Sequence, residues 1–130
     1  MKVKEVKVSQ FESQIFVFWD CKPIEVKKYL DKNLRGFSEH IPKWLEDNND
    51  NPPQGVCLSE YGVSPNCVIW LGKAPEKDVA NFIHEVSHAV HRIMKHWDIK
   101  LVEETQEILA ILMGFITKEV LQQNSEKRKR

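Results

Sequence analysis

The 130-residue chain has few cysteines, no bias of charge and no long apolar run, and each shortage excludes a class of protein. Its three cysteines, Cys21, Cys57 and Cys67, form no Cys-x-x-Cys pair, which excludes a cysteine-rich zinc ribbon. Cys57 and Cys67 either face each other across a hairpin or sit as two buried thiols in a reduced compartment. Lysine plus arginine equals aspartate plus glutamate at 19 each, so no global field argues for a nucleic-acid or membrane partner. No stretch approaches the roughly 20 apolar residues that cross a bilayer. The run Ile15 to Trp19 is too short for a secretory core, so the expected location is the cytoplasm.

What is present suits one soluble domain over residues 1–130, with a tail from about 123 to 130 expected to fray. Val3 to Val8 alternates as an edge strand with one solvated face should, and Ile15 to Trp19 reads as a more buried partner across a turn. Pro23 opens an amphipathic helix with Ile24, Val26, Leu30 and Leu34 on its apolar face, and Gly36 ends it. A shorter helical piece is expected over 39–46, and Asp47 to Pro53 has the composition of a loop. Two β-rich runs, Gly55 to Tyr61 and Cys67 to Leu71, form a second hairpin; the continuously apolar second run suits an interior strand. Pro75 is placed as the first residue of a helix to Trp97, with Val79, Phe82, Ile83, Val86, Val90, Ile93 and Trp97 at helical spacing. A second helix follows from Val102 to about Gln122.

The chemistry sits on the first of these two helices, in His84-Glu85-Val86-Ser87-His88. Residues four apart lie one above the other on a helix, so both imidazoles can reach one ion and supply half of a tetrahedral zinc site. Glu85 is turned about 100° from His84 and aims at the open fourth position. A general base is needed there, because the ion lowers the pKa of its bound water. Chance produces this His-Glu-x-x-His pattern in roughly 2% of shuffled chains of this composition. The apolar neighbours Val86, Ala89 and Val90 argue for a helix packed in a core rather than one with two incidental surface histidines.

Two templates supply a third ligand. One requires glycine at 91 and histidine at 94, where the chain has His91 and Met94, and it fails. The other places a glutamate on the following helix, with eighteen residues between it and the second histidine, and that position is Glu107. With these residues the chain resembles the gluzincin branch of the zincin metallopeptidases. The segments HEVSHAVHRIMKHW and EETQEILAILMGFI are similar to small zincin-like proteins of phages and prophages. The resemblance covers about residues 67 to 122. It implies an α+β fold, in which a small antiparallel or mixed sheet packs on the motif helix and on a following antiparallel helix that carries Glu107. It also implies one Zn2+ held by His84, His88 and Glu107. Ala110 and Gly114 continue the face of Glu107 and would let the two backbones approach.

The chain departs from the family at two points. Ala110 and Ile111 stand where many relatives carry an acid one turn after the glutamate ligand, and Glu103 or Glu104 is the available substitute. For an oxyanion-stabilising group the chain offers Tyr29, Tyr61, His40, His91 and His96, and Tyr61, at the end of a strand, is the candidate.

Two functions follow. In the first, a zinc-dependent peptidase, Glu85 activates water and delivers its proton to the leaving amine, and the edge run Gly55 to Tyr61 binds an extended peptide. In the second, a non-catalytic scaffold binds a phage or host protein and the zinc serves stability. A nucleic-acid-associated protease is disfavoured by the balanced charge.

Overall fold

The computed structural model describes residues 1–43, 54–60 and 62–129. Strands β1 (Lys2–Val8) and β2 (Ser13–Trp19) form an antiparallel hairpin about a 3-10 turn at Ser9–Phe11. Glu12 closes this turn in the left-handed region at φ 52°. Helix α1 (Pro23–Asn33) follows, opened by Pro23 and by Glu25, whose carboxylate accepts the Lys22 amide. Strands β3 (Gly55–Ser59) and β4 (Cys67–Leu71) make the second antiparallel hairpin. Helices α2 (Val79–His96) and α3 (Gln106–Lys129) complete the α+β fold.

The sheet runs β1-β2-β4-β3, with β2 and β4 parallel at its centre. Parallel neighbours require a crossover, and α1 lies within it, on one face of the sheet. Phe16, Phe18, Val68 and Trp70 point to that face and bury Val26, Leu30 and Phe37. Ile15, Val17, Cys67 and Ile69 point to the other, where α2 and α3 cover them. Both faces of β4 and of Ile15–Trp19 in β2 are therefore dry, which is why these runs are apolar at every position. At the sheet's end, β1 instead alternates, with Val6 and Val8 buried and Glu5 and Lys7 exposed.

Several expected boundaries and faces shift. Pro75 opens a 3-10 turn, Pro75–Lys77, rather than α2 itself. The helix begins at Val79 because the Asp78 carboxylate accepts the Asn81 amide at 3.2 Å as an N-cap. Val79, Ile83 and Trp97 lie off the buried stripe and are partly exposed, and Ala89 and Met94 join it. Trp97 sits at the surface because its indole N–H donates to the Phe11 carbonyl at 2.8 Å. Ile24 is likewise exposed on α1. Helix α3 starts four residues later than expected, after a 3-10 turn at Glu103–Thr105, and continues to Lys129 through residues with no helix breaker among them. A 3-10 turn occupies Phe37–His40 and Lys43 is helical; residues 44–53, with the remainder of the helix expected over 39–46 and the expected loop, lie outside the described residues, as does Tyr61.

The three cysteines are free and buried. The β3–β4 register sets Cys67 opposite Ser59 and Cys57 opposite Ile69, so the two thiols are diagonal neighbours under α2. The Cys57 sulfur beside it, together with burial, pushes the Cys67 thiol well above its usual range. Burial also raises Cys21.

Two predictions come from this packing. At pH 8 an aromatic disulfide reagent should modify the native protein's thiols at least tenfold more slowly than the urea-unfolded chain's, since thiolates are the reactive form; equal rates would contradict the buried placement. Gly114 is mid-helix and exposed, and a Cβ added to it would meet no atom within 4 Å, so no close approach requires the glycine. Gly114→Ala should therefore stabilise the chain by about 0.5–1 kcal/mol in urea unfolding. A loss of stability would restore the expected packing role.

Candidate metal centre

Helix α2 is oriented by its apolar stripe. Phe82, Val86, Ala89, Val90 and Ile93 face the sheet and α3. A period of about 3.6 residues then turns His84 and His88 away from the core and leaves Glu85 at its boundary. The His84 side chain is 65% exposed, whereas Glu85 is 5% exposed. Ser87, inside the motif, bonds back to the His84 carbonyl at 2.6 Å and is satisfied within the helix.

The two imidazoles converge. Their Nε2 atoms stand 3.3 Å apart, with the rings edge to face. Two nitrogens bound to one tetrahedral zinc at 2.0–2.1 Å stand about 3.3–3.4 Å apart, so the pair already has the separation of two ligands. Glu85 Oε1 lies 3.8 Å from His84 Nε2. His84, Glu85 and His88 thus offer two nitrogens and an oxygen within 4.8 Å of one another, a group with the composition and spacing to hold a metal ion.

Glu85 supplies a second indication. Its Oε2 is buried and has no hydrogen-bond partner among the described residues. A buried carboxylate oxygen without a partner is destabilising unless a cation or a bound water satisfies it. A metal ion with its water at the adjacent pair of histidines removes that penalty, and the nitrogen–nitrogen–oxygen donor set suits zinc.

The remaining expected residues are placed as follows. Glu107 is the second residue of α3, exposed, outside the 4.8 Å group, and without a bond to any described residue. Ala110 and Gly114 on the same face are exposed too, because the buried stripe of α3 runs through Leu112, Ile116 and Val120. Glu103 and Glu104 are exposed on the 3-10 turn before α3. Tyr29 packs edge-on against Phe16 and Phe18 on the opposite face of the sheet, which removes it from the site. His91 is exposed, and His96 stacks edge-on against Trp97 at 5.1 Å.

Two residues missed in the sequence hold the motif against the edge strand. Asn81 Nδ2 donates to the Gln54 carbonyl at 2.6 Å, and Arg92 Nη1 donates to the Cys57 carbonyl at 2.8 Å and to Ser59 Oγ at 3.3 Å. At Gly55 an added Cβ would stand 2.7 Å from the Asn81 amide oxygen, so a larger residue there would push the Asn81 side chain away from its bond to Gln54. Asn81, Glu85 and Arg92 fall on one side of the helix, four and then seven residues apart. A row of polar side chains beside an apolar stripe was the available signal, although nothing local reveals which strand it meets.

The unpartnered carboxylate yields a test. Glu85→Met removes a buried charge while keeping the side chain's length, and should raise the stability of the metal-free chain by about 1–2 kcal/mol. Urea unfolding in the presence of a chelator measures this, and a comparable loss would mean that Glu85 is satisfied without an ion. No family model, curated protein or solved structure matches the chain, and the candidate metal centre rests on the geometry of these three side chains.

Proposed function

We propose that the protein is a zinc-dependent peptidase of the gluzincin type, in which His84 and His88 bind the ion, Glu107 is the third protein ligand and Glu85 is the general base. The observation that carries the reading is the 3.3 Å approach of the two Nε2 atoms beside a buried carboxylate with an unpartnered oxygen. A zinc ion in this setting supplies a Lewis acid and lowers the pKa of water. The protein's own part is to hold the imidazoles with their outer nitrogens convergent and to keep a carboxylate next to them. Glu85 takes the proton of the attacking water and passes it to the departing amide nitrogen. Its burial suits this work, since a carboxylate shielded from bulk water interacts strongly with charge that develops nearby.

The edge strand provides a docking line for an extended peptide. The Gly72 amide donates to the Gln54 carbonyl, which sets the phase of the β3–β4 ladder. In that phase the amides of Val56 and Leu58 face β4, and those of Gly55, Cys57 and Ser59 face the other edge, which no strand among the described residues pairs. The free edge runs beside the part of α2 bounded by Asn81 and Arg92, which contains the motif. Strand addition there brings a peptide bond alongside the histidines.

A second reading has one observation in its favour. Glu107 stands outside the group that His84, Glu85 and His88 form, which suits a scaffold whose metal serves stability or a protein contact. Elemental analysis of wild type and variants, paired with peptide-cleavage assays, separates the two. We expect about one zinc per chain, lost in His84→Ala and His88→Ala and weakened at least tenfold in Glu107→Ala. Glu85→Gln should retain zinc and lose cleavage by about 100-fold or more. Full retention of zinc in Glu107→Ala would remove that residue from the site, and unchanged behaviour of Glu85→Gln would favour the scaffold.

A further inference from the structure

A cleft of about 320 Å³ opens one turn along α2 from His88, between the helix and the β3–β4 turn. Arg92, Lys95 and His96 line its helical side, and Ser59 and Ser64 line the other. Asp98, just beyond the helix, is the one carboxylate on its wall among the described residues. Arg92 is half-buried and held by a single nitrogen: Nη1 makes both of its bonds to β3. Its Nε and Nη2 donors have no partner among the described residues. A guanidinium held through one nitrogen on the wall of a cleft keeps donors for a planar two-oxygen acceptor.

The position of Arg92 on the edge strand narrows the choice of acceptor. The Cys57 carbonyl faces the free edge, where an added peptide would otherwise donate an amide to it. Arg92 already occupies that carbonyl at 2.8 Å. A chain that continues past this point loses the ladder bond and meets a cation instead, whereas a chain that ends here presents a carboxylate to it. Residues four apart on a helix are separated by about 6 Å along its axis, and an extended peptide advances about 3.3 Å per residue, so the helix position of Arg92 lies about two peptide residues beyond that of His88.

We propose that Arg92 binds the C-terminal carboxylate of a peptide and ends strand addition at Cys57, so that the substrate is a free C-terminus and the bond cut lies one or two residues before it. This rests on the peptidase reading of the same site. Arg92 is here a specificity-determining residue. The chemistry it recognises, a carboxylate, is also carried by aspartate and glutamate side chains, and the test separates these sources.

The test measures binding to zinc-free protein, so that it does not depend on activity. N-acetyl-trialanine with a free carboxylate, its C-terminal amide, and the amide with glutamate at the middle position are titrated into the chain and followed by amide NMR shifts. The free acid should bind about tenfold or more tightly than the simple amide, with the largest shifts at Ser59, Arg92 and their neighbours. Arg92→Gln keeps a donor for the Cys57 carbonyl but loses the charge, and should reduce the preference to below about twofold. Arg92→Lys, which keeps the charge without the fork, should fall between the two. Equal binding of acid and amide, or a preference that survives in Arg92→Gln, would overturn the proposal. Binding of the glutamate-containing amide as tightly as the free acid would overturn the assignment to a chain terminus. Zinc content is measured separately on the same samples. Its absence from wild type would sink the metal reading and with it the position of the cut, leaving the carboxylate site at Arg92 to be judged by the titrations; its presence without a carboxylate preference would sink this inference alone.

Discussion

The site depends on the phase in which α2 lies on the sheet. Burial of Phe82, Val86, Ala89, Val90 and Ile93 fixes the rotation of the helix about its axis. Each of the larger of these side chains contributes about 1.5–3 kcal/mol when removed from water, more than any surface interaction on the opposite face could offset. Once that rotation is set, the helical period directs His84 and His88 outward together and leaves Glu85 half a face away, against the core. Two exposed imidazoles 3.3 Å apart and one buried carboxylate are consequences of that single packing decision. The polar bonds from Asn81 and Arg92 to the edge strand then fix the second wall of the site.

On the proposed peptidase reading, chemistry and stability pull in opposite directions at Glu85. An apolar residue would extend the stripe without leaving a carboxylate oxygen unpaired. That a carboxyl group stands there, beside convergent histidines, is what the proposed function expects where a fold gives up stability for a reactive group. Gly55 fits the same view: it lets the Asn81 amide come against the strand and draws the edge toward the helix at the motif's first turn.

Much of this was legible in the sequence wherever a period or a turn residue carried the information. The uninterrupted apolar runs at Ile15–Trp19 and Cys67–Leu71 marked the two central strands, because only a strand covered on both faces has no polar side. The motif's spacing marked the histidine pair. Less legible were the positions decided by contacts between distant segments. Trp97 matched the apolar period of α2, yet the Phe11 carbonyl draws its indole to the surface. Gly114 read as a packing glycine, yet the α3 stripe through Leu112 and Ile116 turns that face to solvent. Arg92 carried no motif at all; its meaning depends on the ladder phase of β3, which is a property of strand pairing. For the same reason the count of eighteen residues to Glu107 does not by itself say how far that carboxylate stands from the histidines. The span is divided between two further turns of α2, a connection and a short 3-10 turn.

If His84 and His88 are a ready-made ligand pair, zinc should find them without rearrangement of the fold. Diffraction from zinc-soaked crystals, recorded on both sides of the zinc absorption edge, addresses this directly. One anomalous peak per chain is expected, about 2.0–2.1 Å from both Nε2 atoms and beside the Glu85 carboxylate. A peak elsewhere on the protein, or none between the two imidazoles, would contradict it.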